Sequence, residues 1–177
     1  MKKAITILIL IFTVSFAAVA SESKVYIGFD MGYSLNQDDK FTDGPSFGIY
    51  GTYYFNDYLG VSVLGYTNEL GMDGKELFIR SMALGVTGRY EIKDWLDLGG
   101  TVAAAYTGSS EKEREPTVHP KNTFGGYMDL GVHFFPHEHY YLRVMARYFY
   151  AESEDKSLPD EYDFSHFGLV VGVGVAF

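Results

Sequence analysis

The chain has 177 residues, enough for one domain, with 15 Tyr, 14 Phe, 20 Gly, no Cys and a formal net charge of −9. The missing cysteines exclude disulfides and thiol chemistry, and the acidic balance argues against a nucleic-acid partner. Aromatics and glycines in this number point to strands and turns rather than helices.

The N-terminus reads as a separate object. Lys2 and Lys3 precede an apolar run from Ala4 to Phe16, and Ala18-Val19-Ala20 before Ser21 has the small-x-small form of a cleavage site. This is the layout of a secretory signal peptide, residues 1–20, expected to be removed. Its loss would leave 12 basic against 23 acidic residues in a domain spanning 21–177, a net charge of −11. No later run reaches eighteen consecutive apolar residues, so no transmembrane helix is expected after it.

From Lys24 onward the chain alternates, apolar outward and small or polar inward, the period of a strand. Val25, Ile27, Phe29, Met31 and Tyr33 form the first outward face, and a polar loop from Leu35 to Gly44 follows. Phe47, Ile49, Gly51, Tyr53 and Phe55 form the second, joined by a tight Asn56-Asp57 turn to the third, with Leu59, Val61, Val63 and Gly65 outward and Leu64 and Tyr66 inward. The fourth segment, Leu77 to Glu91, carries Phe78, Met82, Leu84, Val86 and Tyr90; a turn around Lys93 leads to the fifth, with Leu96, Leu98, Gly100, Val102, Ala104 and Tyr106. A charged loop, Gly108 to Asn122, precedes the sixth, with Phe124, Met128, Leu130, Val132 and Phe134. The turn Pro136 to His139 leads to the seventh, with Leu142, Val144, Ala146, Tyr148 and Tyr150, and an acidic loop, Ala151 to Asp163, to the eighth. There Phe167, Leu169, Val171, Val173, Val175 and Phe177 take every second position to the end of the sequence.

Eight strands of about ten residues, an even number, match the length a tilted strand needs to cross a bilayer core. Their connections alternate long and short. This predicts an all-β fold, an eight-stranded antiparallel up-and-down transmembrane β-barrel whose last strand pairs with the first. A soluble lipocalin-like barrel would instead turn its apolar face inward. The aromatics sort by height: Tyr26, Tyr53, Phe55, Tyr58, Tyr90, Trp95, Phe134, Tyr140, Tyr141 and Phe177 fall at the turn side, and Tyr33, Phe47, Tyr66, Phe78, Tyr106, Phe124, Tyr148, Tyr150 and Phe167 at the loop side. Two such belts match the two interfaces of a membrane.

The leader, the segment FGIYGTYYFNDYLGVSVLGY from Phe47 to Tyr66, and the terminal GLVVGVGVAF resemble the small eight-stranded outer-membrane barrels of the OmpX and OmpA transmembrane-domain type, a porin-like outer-membrane protein family. The resemblance covers essentially all of residues 21–177 and lies in pattern more than in an invariant motif. It implies residence in the outer membrane of a Gram-negative bacterium. It also implies that the C-terminal strand, with Phe167, Leu169, Val171, Val173, Val175 and Phe177, is recognised by the barrel-assembly machinery.

Seven ionisable residues fall on inward positions: Asp30, Arg89, Asp97, Asp129, His133, Arg143 and Arg147. A turn centred on Glu138 would set Asp129 opposite Arg147 and His133 opposite Arg143; one centred on Lys93 would set Arg89 opposite Asp97. Paired charges filling a narrow barrel are the favoured reading, and a conducting polar path is the alternative. His137, Glu138 and His139 could share a metal by spacing, but read better as a solvated turn, so no metal and no cofactor are expected. Ser165 and His166 are strand neighbours that should point to opposite faces, which argues against a nucleophile and base pair. Arg80 lies outward near the loop-side belt, where it could meet a lipid phosphate. The acidic loops read as solvated surface, or as contacts for host ligands or for lipopolysaccharide through shared cations. The resulting expectation is a non-enzymatic protein with a structural or surface-interaction role in membrane integrity, adhesion or host contact. A narrow solute channel and a lipid A-modifying enzyme are the rivals.

Overall fold

The computed structural model describes residues 24–37, 41–72, 75–111, 123–153, 162–163 and 165–177. The leader and the central part of the charged loop, 112–122, lie outside the described residues. The strands are β1 (Lys24–Asn36), β2 (Gly44–Tyr54), β3 (Leu59–Met72), β4 (Lys75–Lys93), β5 (Leu96–Glu111), β6 (Thr123–His137) and β7 (Tyr140–Tyr150), then β8 (Glu152–Ser153), β9 (Tyr162–Asp163) and β10 (His166–Ala176). β8 and β9 form a two-residue ladder in the acidic connection, and the other eight close into one antiparallel barrel in the order β1-β10-β7-β6-β5-β4-β3-β2.

The C-terminal strand is therefore no open edge. β10 pairs with β1 from Tyr26↔Ala176 to Asn36↔His166, and Val25 and Phe177 exchange backbone hydrogen bonds at the rim. Closure satisfies every ladder, the condition for crossing lipid.

The registers also give the barrel's pitch. Starting at Tyr26, the hydrogen-bonded row runs through Thr52, Ser62, Gly85, Ala103, Tyr127, Phe149 and His166 and returns to β1 at Asn36, ten residues along. Eight strands with that shear tilt about 40° from the barrel axis. Allowing for it, the outward aromatics fall in two rings roughly 9 residues apart along the strands, about 23 Å along the axis. That is close to the height of a membrane's apolar band.

The alternation is observed on all eight strands, with Ile49, Leu84, Val102, Leu130 and Leu169 exposed on the outer wall. Three tyrosines expected in the belts are not there. Tyr26, Tyr66 and Tyr141 are buried in the lumen, because strand parity, not height alone, decides the face. The link before Leu77, one of the connections expected to be long, is instead continued ladder, paired as far as Met72↔Lys75, so this hairpin projects past the loop-side belt.

The turns are built locally. Asn56 Oδ1 accepts from the N–H groups of Tyr58 and Leu59, both at 2.8 Å, which caps the four-residue link between β2 and β3. The β4–β5 turn differs from the expected one. Its register shifts between Glu91 and Lys93, and Glu91 stands opposite Asp97 and Arg89 opposite Gly99, two residues from the predicted partner.

Candidate functional site

The polar lumen is the chemistry-bearing part of the described structure, and its strand order explains how it is filled. Arg143 on β7, Gly172 on β10 and Asp30 on β1 are successive members of one row. With no side chain on Gly172, Arg143 lies across β10 and reaches Asp30, donating from Nε to Oδ1 at 2.7 Å and from Nη2 to Oδ2. Arg147 donates from Nη2 to the same Oδ2 at 2.6 Å. Asp30, fully buried, thus holds two guanidinium groups.

The next row towards the turns works the same way. Tyr141, Gly174, Gly28 and Tyr50 are neighbours, and the two tyrosines lean over the glycines with ring centroids 6.3 Å apart. A Cβ on Gly174 would lie 2.5 Å from the Tyr141 ring, and one on Gly28 would lie 2.3 Å from the Tyr50 hydroxyl.

Aromatic rings surround each buried arginine. Arg143 Cζ lies 3.2 Å from the Tyr50 ring centroid, Arg147 lies 5.1 and 5.3 Å from those of Tyr66 and Tyr127, and Arg89 lies 4.9 and 5.7 Å from those of Tyr54 and Tyr26. The weakly hydrated, planar guanidinium suits this packing better than an ammonium would. The alternation already turns these tyrosines inward; what it does not show is their packing against the arginines.

Of the three predicted pairs, two are rearranged and the third is met through a different register. Asp129 and Arg147 are cross-strand partners, as expected, but Tyr127 joins them: its hydroxyl donates to Asp129 Oδ2 and accepts from Arg147 Nε at 3.1 Å. The direct pair is lost because the arginine head turns to Asp30. For the same reason His133, though opposite Arg143 in register, packs edge-on against Tyr141 instead, at 5.8 Å between centroids. Arg89 does meet Asp97, at 3.6 Å, despite the shifted register, and also donates from Nε to the Asp57 carbonyl at 2.8 Å, tying the β2–β3 turn into the lumen.

The bridge through Tyr127 has a measurable consequence. A double-mutant cycle between Asp129 and Arg147 should give coupling of about 0.5–3 kcal/mol in the parent barrel and little in a Tyr127→Phe background. Undiminished coupling in that background would mean that the two charges interact without the hydroxyl.

Nearer the loops, the Ser34 hydroxyl, the Tyr66 hydroxyl and His166 Nε2 form a chain of 2.8 and 3.1 Å contacts. Ser165 and His166 do not take opposite faces as expected. β10 begins at His166, so Ser165 escapes the alternation and both are buried in the interior. The Ser165 hydroxyl accepts from the Ala151 N–H at 3.3 Å, while the His166 ring lies between those of Tyr66 and Phe149.

Among the described residues, little space remains in the middle of the barrel. Two cavities there measure about 10 Å³ each, room for a single water, one of them beside Asp129 and Ser62. A vestibule of about 480 Å³ opens at the turn side, lined by Arg89, Asp97, Glu91, Phe135 and the exposed His137–His139 turn. His139 Nε2 and Glu138 Oε1 are 3.5 Å apart there, and no group of three or more metal-ligating side chains occurs among the described residues.

Residues 4–177 match the family model of the outer membrane protein β-barrel domain. The chain belongs to this family. Among solved structures, Neisserial surface protein A is 15% identical, with a TM-score of 0.71 over 89% of this chain and 98% of that one. The outer membrane protein OprG from Pseudomonas aeruginosa is 13% identical, with a TM-score of 0.62 over 89% and 96%. Ail, the attachment invasion locus protein of Yersinia pestis, is 17% identical, with a TM-score of 0.54 over 88% and 97%. None of the curated proteins matches the chain. At these identities the structural likeness speaks for the fold.

Within an outer membrane barrel, the exposed apolar wall is the lipid-facing surface. On β10, Phe167, Leu169, Val171 and Val173 face outward, Val175 is half-buried, and Phe177 ends the row at the turn-side belt. Arg80 also faces outward, paired in register with Thr67 and Gly108.

Proposed function

We propose that this outer membrane barrel is a closed scaffold whose work is done at its outer surface and loops, in membrane integrity or in contact with other cells, rather than through its lumen. The observation that carries this reading is the filled interior. Three aspartates and three arginines balance in charge and are packed among tyrosines, and the mid-barrel cavities are water-sized. An ion would have to displace the Asp30 cluster to pass. The β3–β4 hairpin, continued beyond the loop-side belt, offers a raised platform on the side of the long connections. The name of Ail, an attachment invasion locus protein, is consistent with adhesion as the use of such a platform in a barrel of this shape.

Reconstitution in planar bilayers tests the closed lumen. The parent protein is expected to give no discrete conductance steps. Steps of constant size from heat-modifiable, folded protein would favour the channel reading.

A further inference from the structure

The loop-side aromatic belt has a gap. Tyr33 on β1, Phe47 on β2, Tyr106 on β5, Phe124 on β6, Tyr148 and Tyr150 on β7 and Phe167 on β10 supply it on six of the eight barrel strands. On the adjacent β3 and β4 the outward residues at that height are Thr67 and Arg80, which are direct cross-strand partners. Phe78, the next outward position on β4, stands one step nearer the loops. Correcting each strand step for the shear, roughly 1.25 residues, puts Arg80 within about one residue of the height of Tyr106, Phe124 and Tyr150.

Arg80 differs from the arginines of the lumen. Arg89, Arg143 and Arg147 are each paired with aspartate and packed against aromatic rings, whereas Arg80 is exposed on the outer wall, and among the described residues it has neither hydrogen bond nor ion pair. An unpaired guanidinium on a lipid-facing wall is unfavourable at mid-membrane and becomes tolerable only at the interface, where anionic headgroups lie. Its planar fork matches a phosphate bidentately, and the Thr67 hydroxyl beside it can donate a further hydrogen bond. Gly108, its partner on the other side, adds no bulk. Below it, Met82 and Leu84 form an apolar track for acyl chains. Glu69, the next outward residue above Thr67, sets the upper limit, since a phosphate seated higher would meet its carboxylate.

We propose that Arg80 and Thr67 form a binding site for a lipid A phosphate of lipopolysaccharide, with the acyl chains lying along Met82 and Leu84. The choice of lipid follows from the side. The site lies towards the long connections, the outer face of such barrels, and lipopolysaccharide is the phosphorylated lipid of that leaflet. The site stands independently of what the loops bind.

Native mass spectrometry of the folded barrel in detergent, offered bisphosphorylated lipid A, dephosphorylated lipid A or phosphatidylglycerol, tests this. The parent barrel should retain bisphosphorylated lipid A selectively. Arg80→Ala should lower that retention about tenfold, Thr67→Val should lower it less, and Arg80→Lys should keep part of it. Heat-modifiable gel mobility checks that each variant is folded, which is expected because both side chains lie outside the packed lumen. Equal retention by the parent and Arg80→Ala would overturn the proposal. So would parental binding of dephosphorylated lipid A or phosphatidylglycerol as strong as that of the bisphosphorylated form.

Discussion

Replacing Asp30 with Ala should lower the unfolding free energy by on the order of 3–5 kcal/mol, the largest effect expected of any single charge removal in the lumen. Asp30 accepts from Nε and Nη2 of Arg143 and from Nη2 of Arg147, so its loss leaves two buried guanidinium groups facing each other without a counter-charge. The stacking of Arg143 on Tyr50 and of Arg147 near Tyr66 and Tyr127 would persist, but ring faces offset only part of that repulsion. Asp129→Ala is the informative contrast. Asp129 receives one donor, the Tyr127 hydroxyl, and its Oδ1 has no protein partner, so its removal should cost about 1–2 kcal/mol. Trp95, the single tryptophan, sits on the turn-side belt and reports unfolding of the whole barrel in urea through its fluorescence. Should Asp30→Ala fail to fold, Asp30→Asn keeps the shape and one acceptor and should fall between the two. Equal urea midpoints for Asp30→Asn and Asp129→Ala would show that the charge is distributed evenly and that Asp30 is no hub.

The scaffold was legible because its signal is redundant. Alternation must hold on every strand, and a slip of one residue anywhere would turn a charged face to lipid. The closing pair of β1 with β10 follows from the same logic, since an unpaired strand edge cannot stand in a membrane. Pairings across short turns were legible only where the assumed centre was right, since both the β4–β5 and the β6–β7 ladders are irregular next to their turns. The centre assumed at Glu138 reproduced Asp129↔Arg147 and His133↔Arg143 despite the irregularity between Phe134 and His137, whereas the centre assumed at Lys93 lies one residue short of the observed one, so that Arg89 faces Gly99, two residues from Asp97.

Contacts were less legible than register, for a physical reason. An arginine head stands several bonds from its backbone, so it can ignore the residue opposite and choose a partner two strands away. Arg143 does this by crossing Gly172 to Asp30. Only the closure register, combined with the glycine between them, would have revealed it. The sorting of tyrosines failed at Tyr26, Tyr66 and Tyr141 because the belts were assigned by height alone, although the alternation turns Tyr66 inward. Arg80 was legible as outward, but its height relative to the belt needed the shear of the whole barrel.

Gly172→Val should be nearly as damaging as the loss of Asp30, although it removes no polar atom. A Cβ at this position would lie 2.2 Å from Asp30 Oδ1, 2.9 Å from the Phe29 carbonyl oxygen and 3.1 Å from Arg143 Cγ. The carbonyl belongs to the β1–β10 ladder and cannot retreat without opening the seam that closes the barrel. The Asp30 carboxylate can move only by giving up its guanidinium partners. Overpacking and a broken buried ion pair then act together, on the order of 3–5 kcal/mol. Gly126→Val provides the control within the same fold. Gly126 faces the lipid side between Ala104 and Tyr150, and a Cβ there meets nothing within 4 Å. Added apolar volume should change stability by less than about 0.5 kcal/mol at such a site. The two variants carry the same side-chain change and differ in which face of the sheet receives it. Matched urea unfolding curves, each from detergent-folded protein, separate a packing constraint from a general intolerance of β-branched residues at glycine. Similar losses at both positions would mean that the glycines matter for strand flexibility during folding, and that the row Arg143, Gly172, Asp30 is not the lock described by its geometry.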